Sequence, residues 1–301
     1  MNTLLTLTRS VLPVIFFFVF YYIVNAQSFS GSVINYDTGK PIPYALITNT
    51  LKTIGVSADS SGKFYIKDLA SFDSLSISSI GYRRLTTCIP SSVTFQEFKL
   101  VELPIVLNEV TVREPKELKT LGCSAKRLSA SIGGEMNSNY ELASLIPNPF
   151  HREGLLKSVS FYIAKGGVAK ALFRIRIYEN DNKKPGAEIT TDNIVVSVKR
   201  RDSWNSFDLS KHTIYLPKEG FFVSMEWLNI PSNRYGASNN IPYEGGIGQY
   251  LGLASEYPVL ATFARSNKGD WYSTKTIFVI QHTEFSVPEE QYPMVSVKAY
   301  F

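Results

Sequence analysis

Histidine and cysteine are scarce in this chain, three and two in 301 residues. That leaves little to build a metal centre from. The recurring catalytic signatures are missing too: no Gly-x-Ser-x-Gly elbow, no His-Glu-x-x-His, no P-loop and no dinucleotide fingerprint occurs. A Ser-His-Asp triad needs no adjacency in sequence and so stays open. Its best-placed histidine is His212 in Asp208-Leu-Ser-Lys-His212, which also reads as a plain turn residue after a strand. The loop Glu179 with Asn180-Asp-Asn182 offers oxygen ligands but lacks the glycine and twelfth-position glutamate of a calcium loop. Charge of one sign is never concentrated. The net charge is +5, yet the longest basic cluster is Lys199-Arg200-Arg201. A nucleic-acid groove needs basic residues interleaved with aromatics on one face, so no nucleic acid is expected. No enzyme activity, cofactor or metal is expected either.

Apolar residues are long and continuous only near the start. Arg9 is the sole charge before an apolar stretch over 11–24, and Val24-Asn25-Ala26 places compact residues where a signal peptidase cuts. Positive residue, apolar run and small-residue site, in that order, predict an export signal over residues 1–26. The run is short for a membrane span, which takes about 20 apolar residues. No cysteine follows it to carry a lipid. Localisation is therefore expected to be the periplasm, the outer-membrane surface or the medium, with membrane association only through a partner. In such an oxidising compartment Cys88 and Cys123 have one intramolecular pairing open to them. The sequence does not decide whether they meet.

From residue 27 to about 113, turn signals recur every 8–12 residues with no helical period, which implies a small sandwich. Asp37-Thr-Gly39 and Asp59-Ser-Ser-Gly62 are turns, and Lys63–Ile66 and Leu75–Ser78 alternate. The pattern Gly31, Asp37-Thr-Gly39-Lys-Pro41-Ile-Pro43-Tyr-Ala45, Asp59, Gly62-Lys-Phe64, Ser79-Ile-Gly81-Tyr82 and Leu107-Asn-Glu109-Val110 resembles the carboxypeptidase-regulatory-like domain. That resemblance implies a seven-stranded, transthyretin-like sandwich and an exported protein of Bacteroidota. It does not bring a peptidase with it. A zinc centre of that kind needs a glutamate three residues after a histidine. Here Gly154, Tyr215 and Phe285 stand three residues after His151, His212 and His282.

Residues 114–150 read as a linker and entry segment, and 151–301 as a second, jelly-roll-like β-sandwich. Leu172–Tyr178 alternates strictly, with Phe173, Ile175 and Ile177 on one face and Arg174 and Arg176 on the other. Further strands are expected at 194–198, 206–209, 213–216, 221–227, 260–263, 276–281 and 294–300, which makes an all-β chain. The run from Phe173 through Lys184-Pro-Gly186, Trp204, Phe207-Asp-Leu-Ser210 and Leu216-Pro217 to Phe221-Phe-Val223 and Glu226-Trp227 resembles a β-domain that follows the regulatory-like domain in some Bacteroidota envelope proteins. The last strand ends in Phe301, as barrel strands of outer membranes often do. The strands are too short for such a barrel, and Lys211, Lys218 and Glu219 crowd their ends.

The function expected is a non-catalytic cell-envelope module serving structure, adhesion or ligand presentation, with a glycan or an envelope protein as partner. The first alternative is carbohydrate binding by the loops over 234–272, which are rich in glycine, asparagine and aromatics; the second is a hydrolase with an unrecognised site. Flat aromatic rings in those loops suit sugar faces, and long loops on a rigid β-scaffold often carry sites. The ligand-binding residues expected are Tyr235, Tyr243, Tyr250, Trp271 and Tyr272.

Overall fold

The computed structural model describes residues 27–69, 74–90, 92–104, 117–135, 138–236, 245–255, 261–274 and 291–301. The export segment 1–26, the landmarks 107–110 and the strand expected at 276–281 lie outside them. Among the described residues every regular element apart from short 3-10 turns is a strand.

Among the described residues the first domain has seven strands: β1 Gln27–Asn35, β2 Leu46–Asn49, β3 Gly55–Ser57, β4 Lys63–Leu69, β5 Ser74–Ser78, β6 Leu85–Cys88 and β7 Phe95–Leu100. They form two sheets, ordered β4-β1-β7 and β3-β2-β5-β6, as a transthyretin-like sandwich requires. The expected turns have clear causes. The Asn35 side-chain oxygen accepts from the backbone N–H of Asp37 and Thr38, both at 2.9 Å. Asp59 accepts from the N–H of Ser61 and Lys63 at 2.8 and 3.0 Å. Gly62 takes φ +75, and a Cβ there would stand 2.6 Å from the Val33 carbonyl oxygen. Only glycine fits that position. The core between the sheets centres on Phe29, Phe64 and Phe98, whose ring centroids lie 5.9–6.3 Å apart.

The second domain continues with β8 Leu118–Gly122, β9 Ala130–Gly134, β10 Tyr140–Ile146, β11 Gly154–Gly167, β12 Leu172–Asp181, β13 Lys184–Glu188, β14 Val195–Ser197 and β15 Ser203–Asp208. It is completed by β16 Tyr215–Leu216, β17 Phe221–Trp227, β18 Arg234–Tyr235, β19 Gly246–Ala254, β20 Thr262–Ser266, β21 Tyr272–Ser273, β22 Tyr292–Pro293 and β23 Val295–Tyr300. Over 117–150 the stretch read as linker and entry supplies β8, β9 and β10, all paired into the sandwich. Short strands between polar turns carry little periodicity, and only the pairing partners make β8 and β9 recognisable.

One sheet has the order β13-β12-β17-β10-β20-β21, with β14 also on β12. The other has β18-β19-β11-β23-β8, with β15 and β16 on β11 and β9 and β22 on β19. Phe173 bridges the layers, meeting Phe161 and Phe207 edge-on at 5.5 and 5.4 Å. Each such buried ring contributes roughly 2–3 kcal/mol by leaving water. The hairpin between β12 and β13 turns on Asn182 and Lys183, at φ +50 and +65. Two residues at positive φ match the right-handed twist of the strands they join. Cys88, on β6, is exposed and Cys123 is buried; both are free thiols.

Candidate functional site

The expected aromatic residues fall into two groups. Tyr235 and Tyr250, on neighbouring strands β18 and β19, meet at 6.1 Å and 63°. Their seats are made by glycines: a Cβ on Gly133 would stand 2.6 Å from the Tyr250 ring, and one on Gly246 would stand 2.2 Å from the Tyr235 hydroxyl. Burial, then the Tyr250 hydroxyl, pushes the Tyr235 phenol well above its ordinary range. Tyr272 is 40% exposed. It hydrogen-bonds Tyr140 and Ser266, and burial followed by the Glu135 charge raises its phenol. Glu135 accepts from Ser138 and Ser266 at 3.5 and 3.4 Å. The consecutive residues Gly133, Gly134 and Glu135 thus join the two groups at one end of the sandwich. Tyr243 lies outside the described residues.

Trp271 is placed elsewhere. Its ring lies 4.1 Å from the Arg265 guanidinium and 5.5 Å from Tyr178, edge-on. It packs against the outer face of the β13–β21 sheet rather than projecting from a loop tip.

That outer face is the main departure from the sequence reading. Paired residues in antiparallel strands share a face. Arg174, Glu226, Glu141 and Arg265 therefore form one row across β12, β17, β10 and β20. Alternation alone would place such a row in water. Instead Arg174, Arg176, Glu226 and Glu141 are each no more than 3% exposed. Glu226 accepts from Arg174 at 2.9 Å and from Arg176 at 2.7 Å. Arg176 also reaches Glu188 at 2.5 Å, and Arg265 reaches Glu141 at 2.8 Å. Tyr178 and Ser224 donate to the other Glu141 oxygen at 2.7 and 2.6 Å.

The electrostatics follow from burial and these partners. Burial alone would raise the Glu226 carboxyl, but the two arginines outweigh it and hold it far below the carboxylate range. Glu188 is likewise lowered, burial being outweighed by Arg176 and Lys268. Lys268 is pushed down to about 8 by burial and then by Arg176.

The first domain covers the Arg174 end of this row, and Trp271 the Arg265 end. Arg174 donates to the Tyr44 carbonyl at 2.5 Å, and Asn193 to the Pro43 carbonyl at 3.1 Å. Three asparagines clamp β3, the edge of its four-stranded sheet. Asn229 donates through its side chain to the Gly55 carbonyl at 2.6 Å, and its own carbonyl accepts from the Ser57 N–H at 3.1 Å. This pair imitates a neighbouring strand and closes an otherwise open edge. Asn139 accepts from the Ser57 hydroxyl at 2.6 Å. Asn267 accepts from the Asn139 N–H at 2.8 Å and donates to the Lys52 carbonyl at 2.9 Å. A Cβ on Gly55 would stand 1.7 Å from the Asn267 side-chain oxygen, so glycine is what lets the domains approach here.

His212 pairs through Nδ1 with Asp192 at 2.5 Å. This is two-thirds of a triad. Ser210, two residues before His212, gives its hydroxyl to the Lys157 carbonyl, and among the described residues no hydroxyl or thiol hydrogen-bonds the His212 ring. Among the described residues no group of three or more His, Cys, Asp or Glu is placed to hold a metal ion.

Residues 29–112 match the family model of the CarboxypepD_reg-like domain. No curated protein matches the chain. Among solved structures, it is similar to the cysteine protease and lectin-like domains of Cwp84, a surface layer associated protein of Clostridium difficile. That likeness has a TM-score of 0.35 at 13% identity, over 91% of this chain and 58% of that one. It is also similar to a provisionally assigned carbohydrate binding protein from Bacteroides uniformis ATCC 8492, with TM-score 0.23 and 10% identity over 78% and 97% of the two chains. A DUF3823 family protein from Parabacteroides merdae ATCC 43184 has TM-score 0.19 and 10% identity over 65% and 96%. The chain thus spans little more than half of the first of these structures, and at such scores none of the three bears on how it acts.

Proposed function

Residues 29–112 being a CarboxypepD_reg-like domain, we propose that the chain is an exported, non-catalytic envelope module in which the first domain holds a ligand-presenting sandwich in one orientation. The observation that carries this reading is the asparagine clamp on β3, with Asn229 and Asn139 both 1% exposed. A hinge between independent modules leaves its polar groups in water. Here the Asn229 side chain and carbonyl and the Asn139 side-chain oxygen are buried and bonded across the interface, which favours a single rigid body. Small-angle scattering from the protein beginning at Gln27 should give the same radius of gyration at low and high salt, because buried pairs are screened little. Expansion at high salt would contradict the reading. So would turnover of an ester or peptide that is lost in His212→Ala.

The second reading, carbohydrate binding at the sandwich end, is favoured by one feature. Tyr272 exposes much of its ring beside Glu135, Ser138 and Ser266, a flat face flanked by hydrogen-bonding groups. A glycan-array signal that disappears in Tyr272→Ala, with the melting temperature unchanged, is the result it expects. A signal that survives the substitution counts against it.

A further inference from the structure

The opposite sheet has an outer face that neither domain covers fully. Beyond Tyr162 it is closed by 123–129, where Cys123 and Ala125 pack with Ala254 and Met294. The rest is crossed by rows of paired residues, exposed at Trp204, Ser206, Asp208, Lys298 and Thr120. In the first row Trp204 pairs with Tyr162, rings edge-on at 5.8 Å and 85°, with Trp204 37% exposed. The second row is Ser206, Ser160, Ser296 and Gly122, all small. In the third, Asp208, Ser158, Lys298 and Thr120 follow. Rows lie about 6.7 Å apart along the strands, and four strands span about 14 Å. The result is a trough floored with hydroxyls, walled by an aromatic ring on one side and by charges on the other.

Two features select its occupant. The first is charge. Asp208 is already engaged by the Ser210 N–H at 2.9 Å, and Asp202 by the Tyr162 hydroxyl at 3.1 Å and Lys165 at 3.4 Å. Among the described residues Lys298 is in no ion pair, and Lys157 contacts only the Tyr300 ring at 5.6 Å besides the nearby Asp208 charge. Asp208 keeps its charge when it accepts the Ser210 N–H, so Lys298 and Lys157 together with Asp208 leave one net positive charge on the face, Lys165 and Asp202 cancelling. The second is the backbone. β11 and β23, which floor the middle of the trough, are paired on both sides, so among the described residues only its margins, β15 and β8, offer a peptide an open strand edge. A hydroxyl-rich, acidic, elongated chain fits both conditions.

We propose that this trough binds an acidic polysaccharide bearing uronate carboxylates, with a sugar ring stacked on Trp204 and carboxylates held by Lys298 and Lys157. The proposal rests on the sandwich being the ligand-presenting half of the molecule, and it moves the sugar site from the 234–272 end to the open sheet face. Calorimetric titration of the protein from Gln27 with hexagalacturonate tests it, alongside cellohexaose as the neutral probe and a hexaglutamate peptide as the acidic, non-sugar probe. The expected result is binding of hexagalacturonate alone, weakening as salt is raised. Trp204→Ala and Lys298→Glu should each weaken it about tenfold or more, Lys298→Glu with melting temperature unchanged, since that side chain is exposed, and Trp204→Ala with the fold intact by circular dichroism. Tyr272→Ala should leave it intact. Equal binding of cellohexaose or of the peptide would overturn the proposal, as would no binding of hexagalacturonate or binding that both trough variants retain. Loss in Tyr272→Ala alone would overturn the trough while leaving the presenting role in place, with its site at the sandwich end.

Discussion

Glu226→Gln should lower the free energy of unfolding by about 3–5 kcal/mol, the loss characteristic of breaking a buried ion pair from one side. The substitution keeps shape and volume, so no cavity contributes. What it removes is the single carboxylate that serves two buried guanidiniums, Arg174 and Arg176. Arg176 keeps Glu188, but Arg174 has no other carboxylate partner among the described residues, only Asn193 and the Tyr44 carbonyl. Urea denaturation of the two proteins measures the difference. The same group sets an acid limit. Its folded pKa lies below its unfolded value, so it adds stability that is present above the unfolded pKa. That stability is lost as the pH falls from there toward the folded pKa. Glu188, lowered in the same sense, adds to the same decline. A fall in native stability below about pH 5 that is much shallower in Glu226→Gln is the expected profile.

Asn267→Ala should cost about 2–5 kcal/mol by a different route. Asn267 sits at φ +53, where asparagine is tolerated and alanine pays about 1–2 kcal/mol. Its side chain is the only one bonded both to the Asn139 N–H and to the Lys52 carbonyl, and the residue is 2% exposed. Removing it leaves the buried Asn139 N–H short of a partner, at about 1–3 kcal/mol, while the carbonyl of the exposed Lys52 can turn to water. The effect should concentrate at the domain contact. Native-state hydrogen exchange should therefore rise at Gly55–Ser57 while the amides of β11 and β23 stay protected. Uniform acceleration throughout both domains would contradict this placement.

The alternation of Leu172–Tyr178 put Phe173, Ile175 and Ile177 on one face, and that face is the core, each of the three fully buried. The turns at Asn35–Gly39 and Asp59–Gly62 were legible because their side chains bond their own backbone. What alternation does not reveal is what lies on the far side of a sheet. Arg174 and Arg176 look like a solvated face until a second domain covers them. A signal was nevertheless present: Glu226 has the matching parity in an apolar run, Phe221–Trp227, and Glu141 interrupts another, Tyr140–Ile146. Charges of opposite sign in strands otherwise apolar on both faces suggest a buried network. The clamp was harder to see, since Asn139, Asn229 and Asn267 are isolated in sequence and resemble ordinary turn residues. Trp271 misled for the opposite reason: it follows a Gly-Asp turn, as a loop tip does, yet the Arg265 guanidinium gives its ring a partner inside the fold.

Differential scanning calorimetry of the protein from Gln27, with and without Glu226→Gln, tests the rigid two-domain account most directly. One cooperative transition for the native protein, shifted to lower temperature in the variant for both domains together, is the predicted result. Two separate transitions in the native protein, with that of the first domain unmoved by the substitution, would contradict it.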